Sequence, residues 1–314
     1  MDVDKRYLKK IKAAHLIYKE NYALQDVAKI LGISRPTLAK LIDEIQQENI
    51  VTIHIDYPRN TQHNIKTGCD LSRRYGLKDA IVVDAPAPDA EEIVESIGSA
   101  GADYLQGFLC KNMSIGTTGG KTIYALVSYL THDPQITNLQ VITTTGGSLY
   151  ANTKYHSNTV AQRIVEIYHG TGHFIYAPTY ADDKEQRDSI VNNSQIKHTL
   201  DMGRSVDIAL TGIADCESAR KYLPQPSEKW LEGSDSDDFA GAINTLLLNK
   251  GGQPLSCPAT NLYIGISYED LKKIDTVIAL AGGKQKHDAI KAALLGGLVN
   301  VLVTDQYTAE YLLA

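Results

Sequence analysis

From residue 79 to the C-terminus, short apolar runs alternate with amphipathic stretches, and this alternation limits the fold more sharply than any other feature of the chain. Strand-length runs joined by helix-length crossovers are the pattern of a parallel sheet covered by helices. The runs predict strands at Ala80–Asp84, Met113–Gly116, Gln140–Thr145, Phe174–Ala177, Asp207–Gly212, Leu262–Ile266, Thr276–Ala281 and Val299–Thr304. Helices are expected between and after them, over 90–109, 120–130, 156–169, 184–201, 285–295 and 306–313. Residues 61–78 read as a helix leading into the first strand, and 224–238 as a polar surface loop. The fold class is therefore α/β.

The first sixty residues follow a different pattern. Leu8, Ile11, Ala14 or His15, and Tyr18 form one helical stripe, and Leu24, Val27, Ala28 and Leu31 a second that ends at Gly32. Ser34 is placed to cap a third helix, with Pro36 tolerated in its first turn and Leu38, Leu41, Ile42 and Ile45 on its inner face. Two helices joined by a short glycine turn, with small Ala28 where they meet, have the spacing of a helix-turn-helix. On that reading Ser34, Arg35, Thr37 and Lys40 face the major groove, with Arg35 suited to guanine and the others to phosphates or base edges. A structural helical hairpin with solvated charges has the same spacing. The alternating run 51–57 reads as a strand or wing, and the domain boundary falls near 57–62.

Charge is distributed to match. The net charge is −6, against bulk coating of nucleic acid, yet residues 1–60 carry +2 and residues 61–314 carry −8. No apolar run reaches the roughly 18 residues of a membrane helix, and the first twenty residues are too charged for a signal peptide, so a cytoplasmic protein is expected. Cys69, Cys110, Cys216 and Cys257 are widely spaced and suggest neither disulfides nor a metal site.

In a parallel sheet, ligands bind beyond the C-terminal strand ends, and three such junctions are rich in glycine. The first, Gly116 to Thr122, offers Thr118, Gly119, Gly120, Lys121 and Thr122 as a phosphate cradle. It lacks the upstream glycine of GxxxxGK(S/T), so it is not a P-loop. The second, Thr143 to Ser148, contains Gly146 and Gly147, and the third, Ala281 to Lys286, contains Gly282, Gly283 and Lys286. Together they point to an anionic small-molecule site. Asp305, after the last strand, can accept from a sugar hydroxyl, hold Lys286 or cap the final helix. Catalysis needs a poised acid or base, and His156, His173 and His287 belong to no spacing motif, so neither an enzyme nor a cofactor is expected.

The stretches DVAKILGISRPTLAKLIDEIQQENIVTIHI, SIGTTGGKTIYAL, NLYIGISYEDLKKI and IALAGGKQKHDAIKAALLGGLVNVLVTDQYTAEYLL resemble the SorC family of sugar-binding bacterial transcriptional regulators, including its deoxyribonucleoside-regulator branch. The resemblance covers nearly the whole chain. It implies a winged helix-turn-helix over 1–57 and, over 58–314, a Rossmann-like effector and oligomerisation domain similar to ribose-phosphate isomerases and glucosamine-phosphate deaminases. It also implies double-stranded operator DNA and a phosphorylated sugar as partners, and a dimer or tetramer. By position it places the family's phosphate-binding turn on Gly120, Lys121 and Thr122, its second glycine loop on Gly146 and Gly147, and its anion-binding lysine on Lys286. The chain departs from the family at Gly119, where members often carry Trp, at Lys121, where they carry Arg or Thr, and at Gly241 to Asn249, where the family's acidic and basic residues are gone. Thr145 stands where some members have Lys, which implies non-covalent binding. A sugar-phosphate isomerase or deaminase with an accessory N-terminal domain, and a scaffold without ligand, are the alternative readings.

Overall fold

The computed structural model describes residues 5–53, 64–89, 91–147, 153–235 and 237–314. The chain divides into two compact units, Met1–Tyr57 and Pro58–Ala314. The first holds three helices: α1 (Lys5–Tyr18), α2 (Leu24–Ile30) and α3 (Arg35–Gln47). Ala13, Ala14, Val27, Ala28, Leu38, Leu41 and Ile45 form its core, so the stripes read from the sequence do face inward. Gly32 exits α2 at φ 64°, and the Ser34 hydroxyl accepts the Thr37 N–H at 3.3 Å, the expected cap. Lys10 reaches Glu44 at 2.9 Å and Glu48 at 2.6 Å, tying α1 to α3. Of the expected 51–57 strand, Val51, Thr52 and Ile53 are irregular, and the rest lies outside the described residues.

The second unit runs α4 (Ile65–Tyr75), β1 (Asp79–Val83), α5 (Glu92–Phe108), β2 (Ser114–Thr117), α6 (Lys121–Tyr129), β3 (Gln140–Thr143), α7 (Ser157–Tyr168) and β4 (Thr171–His173). It continues through α8 (Lys184–Asn192), α9 (Ser194–Gly203), β5 (Ile208–Ala214), α10 (Cys216–Arg220), β6 (Phe239–Ile243) and β7 (Leu246–Asn249). It ends with α11 (Pro258–Leu262), α12 (Tyr268–Lys273), β8 (Thr276–Leu280), α13 (His287–Leu295), β9 (Val301–Asp305) and α14 (Gln306–Leu313). The main sheet is parallel in the order β1-β9-β8-β5-β2-β3-β4, with the β6–β7 hairpin added antiparallel to the end of β5.

Alternation along the strands fills both faces of this sheet. Ile208, Leu210, Ile278, Leu280, Val301 and Val303 pack with α5, α6 and α7, while Ala209, Val277, Ala279 and Leu302 pack with α4, α13 and α14. Burial on both faces explains why these strands read as continuous apolar runs. After β2 the chain winds toward β3 and β4, whereas β5, β8 and β9 lie on the other side of β2. The β2–β5 junction is thus a topological switch point, where a crevice opens beyond the strand ends.

Four sequence expectations are corrected. The edge strand β4 is Thr171–His173 rather than Phe174–Ala177, because the Ile175 N–H is taken by the Thr143 hydroxyl at 2.8 Å and leaves the ladder. Residues 184–201 form two helices, broken at Asn193, whose extended backbone and side chain cap α9. Leu262–Ile266 is no strand: α11 ends at Leu262, and only isolated bridges at Tyr263 and Gly265 follow. The β6–β7 hairpin has no counterpart among the predicted strands.

The helix layer is close-packed at α5 and α6. A Cβ on Gly98 would stand 2.6 Å from the Ala125 Cβ and 2.8 Å from its carbonyl carbon. Gly98→Val is expected to cost about 3 kcal/mol by overpacking, read as a lower urea midpoint with an unchanged slope.

Candidate functional site

A cavity of about 560 Å³ lies beyond the C-terminal ends of β2, β3, β5 and β8. Its size is that of a small-molecule site. The loop after β2 contributes Thr118, Gly119, Gly120, Lys121 and Thr122. Gly120 sits at φ 117°, and a Cβ on Gly119 would meet the Tyr155 carbonyl oxygen at 2.2 Å and the Ser157 nitrogen at 2.9 Å. The start of α7 occupies that space, which explains why this loop has no room for a large side chain at 119. As a result the N-termini of α6 and α7 open into one cavity, both presenting positive dipole ends.

The loop after β8 brings Gly282, Gly283 and Lys286 to the cavity. Gly283, at φ 94°, donates its N–H to the Asp305 carboxylate at 2.8 Å. Asp305 itself does not line the cavity. It is fully buried, accepts the Thr308 N–H (3.0 Å) and hydroxyl (2.6 Å), and so caps α14 while fixing the glycine loop. Of the roles open to it in the sequence, the cap is the one observed.

Two lysines supply positive charge to the cavity. Neither Lys121 nor Lys286 makes a salt bridge among the described residues. Burial pushes the Lys286 ammonium below its ordinary pKa, nearby Lys121 pushes it further, and Asp215 opposes both. A third lysine, Lys221, lines the cavity from the end of α10 and pairs with Glu217 at 2.7 Å.

Gly146 lines the cavity and Gly147 does not. A Cβ on Gly147 would coincide with the His156 ring, 1.9 Å from Nε2, so this glycine makes room for the imidazole. The His156 Nδ1 accepts the Asn158 N–H at 3.3 Å as the cap of α7, and burial lowers its pKa. The next residue, Ser157, is 4% exposed, lines the cavity, and has a hydroxyl with no hydrogen-bond partner among the described residues. A buried donor left open beside two helix N-termini has the chemistry to meet an anion.

Sequence reasoning therefore found the lysines and glycine loops but missed Ser157, Lys221, Asn244 and Thr245, all of which line the cavity. In the first unit, Ser34, Arg35, Thr37 and Lys40 are all exposed on one end of α3. Arg35 donates to the Gln25 amide oxygen at 2.9 Å, and the Ser34 and Thr37 hydroxyls lie 2.8 Å apart.

Residues 59–314 match the model of a family described as "Putative sugar-binding domain". The chain belongs to this sugar-binding-domain family. Similarity to known regulators extends beyond the shared domain. The deoxyribonucleoside regulator of Bacillus subtilis is 27% identical, covering 99% of each chain. The sorbitol operon regulator of Klebsiella pneumoniae is 28% identical, covering 96% of each. The crystal structure of the full-length sorbitol operon regulator SorC from Klebsiella pneumoniae superimposes with a TM-score of 0.73 at 27% identity, over 99% of this chain and 100% of that one. Along its whole length the chain is thus similar to transcriptional regulators, in line with the resemblance its motifs carry. No helix among its described residues is long and apolar enough to cross a membrane.

Proposed function

We propose that the chain controls a bacterial operon of carbohydrate or nucleoside utilisation from the cytoplasm, as a dimer or tetramer. In this reading residues 1–57 are a winged helix-turn-helix that binds a palindromic double-stranded operator, with Ser34, Arg35, Thr37 and Lys40 toward the DNA. Residues 58–314 bind a phosphorylated sugar through Thr118 to Thr122, Gly146, Gly282, Gly283 and Lys286, with Gly147 and Asp305 shaping the loops. The observation that carries this is the meeting of Lys121, Lys286 and two helix N-termini around the orphaned Ser157 hydroxyl in one cavity. Such a site suits a dianionic phosphate. The effector acts by binding two quaternary arrangements with different affinity.

The same cavity supports binding rather than turnover. Its one lining histidine among the described residues, His156, is engaged as a helix cap through Nδ1, and Asp89 is the lining carboxylate. The test is thermal stability across phosphorylated sugars and their free counterparts. A ligand at 100 times its Kd adds about 2.7 kcal/mol, so a shift with one phosphosugar and none with its free form is expected. Steady conversion of any sugar phosphate by the purified protein would return the isomerase or deaminase reading.

A further inference from the structure

The tip of the β6–β7 hairpin enters the cavity in an unusual backbone state. Asn244 and Thr245 have φ 50° and 60°, the pattern of a two-residue I′ turn, in which the second position is ordinarily glycine. A β-branched residue there is strained, and such strain persists only where the surroundings enforce it. Here two buried tyrosines do so: Tyr180 donates to the Thr245 carbonyl at 2.5 Å and Tyr263 to the Asn244 carbonyl at 2.8 Å. The Asn244 N–H is fixed by the Thr211 hydroxyl at 3.1 Å.

Charge is divided across the cavity. Lys286 follows β8, Lys221 follows β5 and Lys121 follows β2, while Asp89 lies in the segment whose Pro88 carbonyl accepts the Lys284 N–H beside the β8 loop. Between these charges the cavity is also lined by Thr145 and Gly146 after β3, by Thr179, and by Asn244 and Thr245 at the tip of the hairpin that pairs with β5. These residues carry no charge.

The protons of these residues can be followed one by one. The Thr245 hydroxyl donates to the Asn244 carbonyl at 2.7 Å, so in its 2.9 Å contact with the Thr145 hydroxyl it accepts. Thr145 Oγ1 has then spent its only proton and turns lone pairs to the cavity. The Asn244 Oδ1 accepts from Thr144 at 2.7 Å, and Nδ2 donates one proton to the Tyr263 hydroxyl at 3.1 Å, leaving the second. One acceptor beside one amide donor suits a ligand hydroxyl. A carboxylate or second phosphate held by these five residues would face lone pairs with no cation among them.

We propose that Thr145, Asn244 and Thr245 form a selectivity subsite that favours phosphorylated ligands ending in neutral hydroxyls over bisphosphates and phosphorylated sugar acids. This rests on the phosphosugar reading above. The test is calorimetric titration of the full-length protein with matched sets: glucitol 6-phosphate, 6-phosphogluconate and a hexitol 1,6-bisphosphate, and ribose 5-phosphate, 5-phosphoribonate and ribulose 1,5-bisphosphate, with inorganic phosphate as the control. In at least one set the monophosphate is expected to bind tenfold or more tightly than its acid and bisphosphate. Thr145→Val should remove that preference by weakening the monophosphate tenfold, with inorganic phosphate unchanged within twofold, and Thr145→Ser should retain it. Equal or tighter binding of the acid or bisphosphate by the natural protein overturns the subsite and leaves the phosphosugar reading standing. So does full monophosphate affinity in a folded Thr145→Val. If that variant does not fold, the natural protein's ranking decides alone. Absence of binding by every phosphorylated compound removes the phosphosugar reading and the subsite with it.

Discussion

Lys286→Met is expected to raise the melting temperature of the free protein while cutting its affinity for a phosphorylated effector at least a hundredfold. The ammonium sits where burial and Lys121 lower its pKa and only Asp215 supports its charge. A lysine whose folded pKa lies below 10.5 binds its proton more readily in the unfolded chain. Its charge therefore opposes folding at neutral pH, and the penalty fades as pH rises through the lowered pKa toward 10.5. Methionine keeps the volume without the charge, so that penalty is removed. A bound phosphate reverses the balance by pairing with the ammonium. Removing one partner of such a buried pair costs about 3 kcal/mol, which is the hundredfold loss. Effector affinity of the natural protein should rise through about pH 6 as the phosphate becomes dianionic, and fall at alkaline pH as Lys286 loses its proton. In the variant that alkaline fall should move to higher pH. Scanning calorimetry and titration from about pH 5 to about pH 10 check both limbs; a lower melting temperature, or an intact affinity, would refute the placement of this charge.

How far the site was legible depended on how each residue reaches it. Lys121 and Lys286 stand in loops directly after predicted strands, and glycine there signals a turn whatever the tertiary structure. Asn244 and Thr245 arrive on a hairpin whose sequence hides it. An Asn-Gly pair would have marked the turn, but Thr245 takes the glycine's place and is held there by Tyr180 and Tyr263, residues far along the chain. Lys221 follows a helix of only five residues, too short for a periodic signal. Ser157 stands in a predicted helix, and its significance lies in the partner it lacks, which only coordinates reveal. Asp305 was visible as a polar residue at a strand end, yet choosing among its three roles required knowing that Gly283 and Thr308 both reach it.

The fold shows the same division. Strands buried on both faces, such as β5, β8 and β9, are apolar for reasons local to the sheet and were found within a few residues. The edge was misread. At β4 the chain still runs apolar through Phe174 and Ile175, but those side chains serve packing beyond the ladder, and the Thr143 hydroxyl, not a strand partner, takes the Ile175 N–H. Leu262–Ile266 is apolar for a similar reason: Ile264 and Ile266 are fully buried without a continuous partner strand. Burial and strand pairing coincide in the sheet centre and separate at its margins.

Arg35→Ala is expected to abolish specific operator binding and leave the effector response intact. Arg35 is exposed at the start of α3, and its hydrogen bond to Gln25 crosses from α2 on the surface, so its removal costs the fold little. A bidentate arginine–guanine contact discriminates by about 1–3 kcal/mol, and a symmetric dimer loses two at once, or roughly 2–6 kcal/mol. Affinity for the operator should therefore fall at least thirtyfold while binding to unrelated DNA changes little. Lys40→Ala should behave differently. A lost phosphate contact weakens all sequences alike and reduces the slope of log affinity against log salt by about 1 per subunit. Ser34→Ala separates folding from contact, since it removes the α3 cap and destabilises the first unit by about 1 kcal/mol. Fluorescence anisotropy with specific and unrelated duplexes across a salt series distinguishes the three. If Arg35→Ala weakens both duplexes equally, Arg35 holds the backbone and the bases are read from another element. If it changes neither, α3 is a structural helix and the DNA-binding reading of the first unit fails.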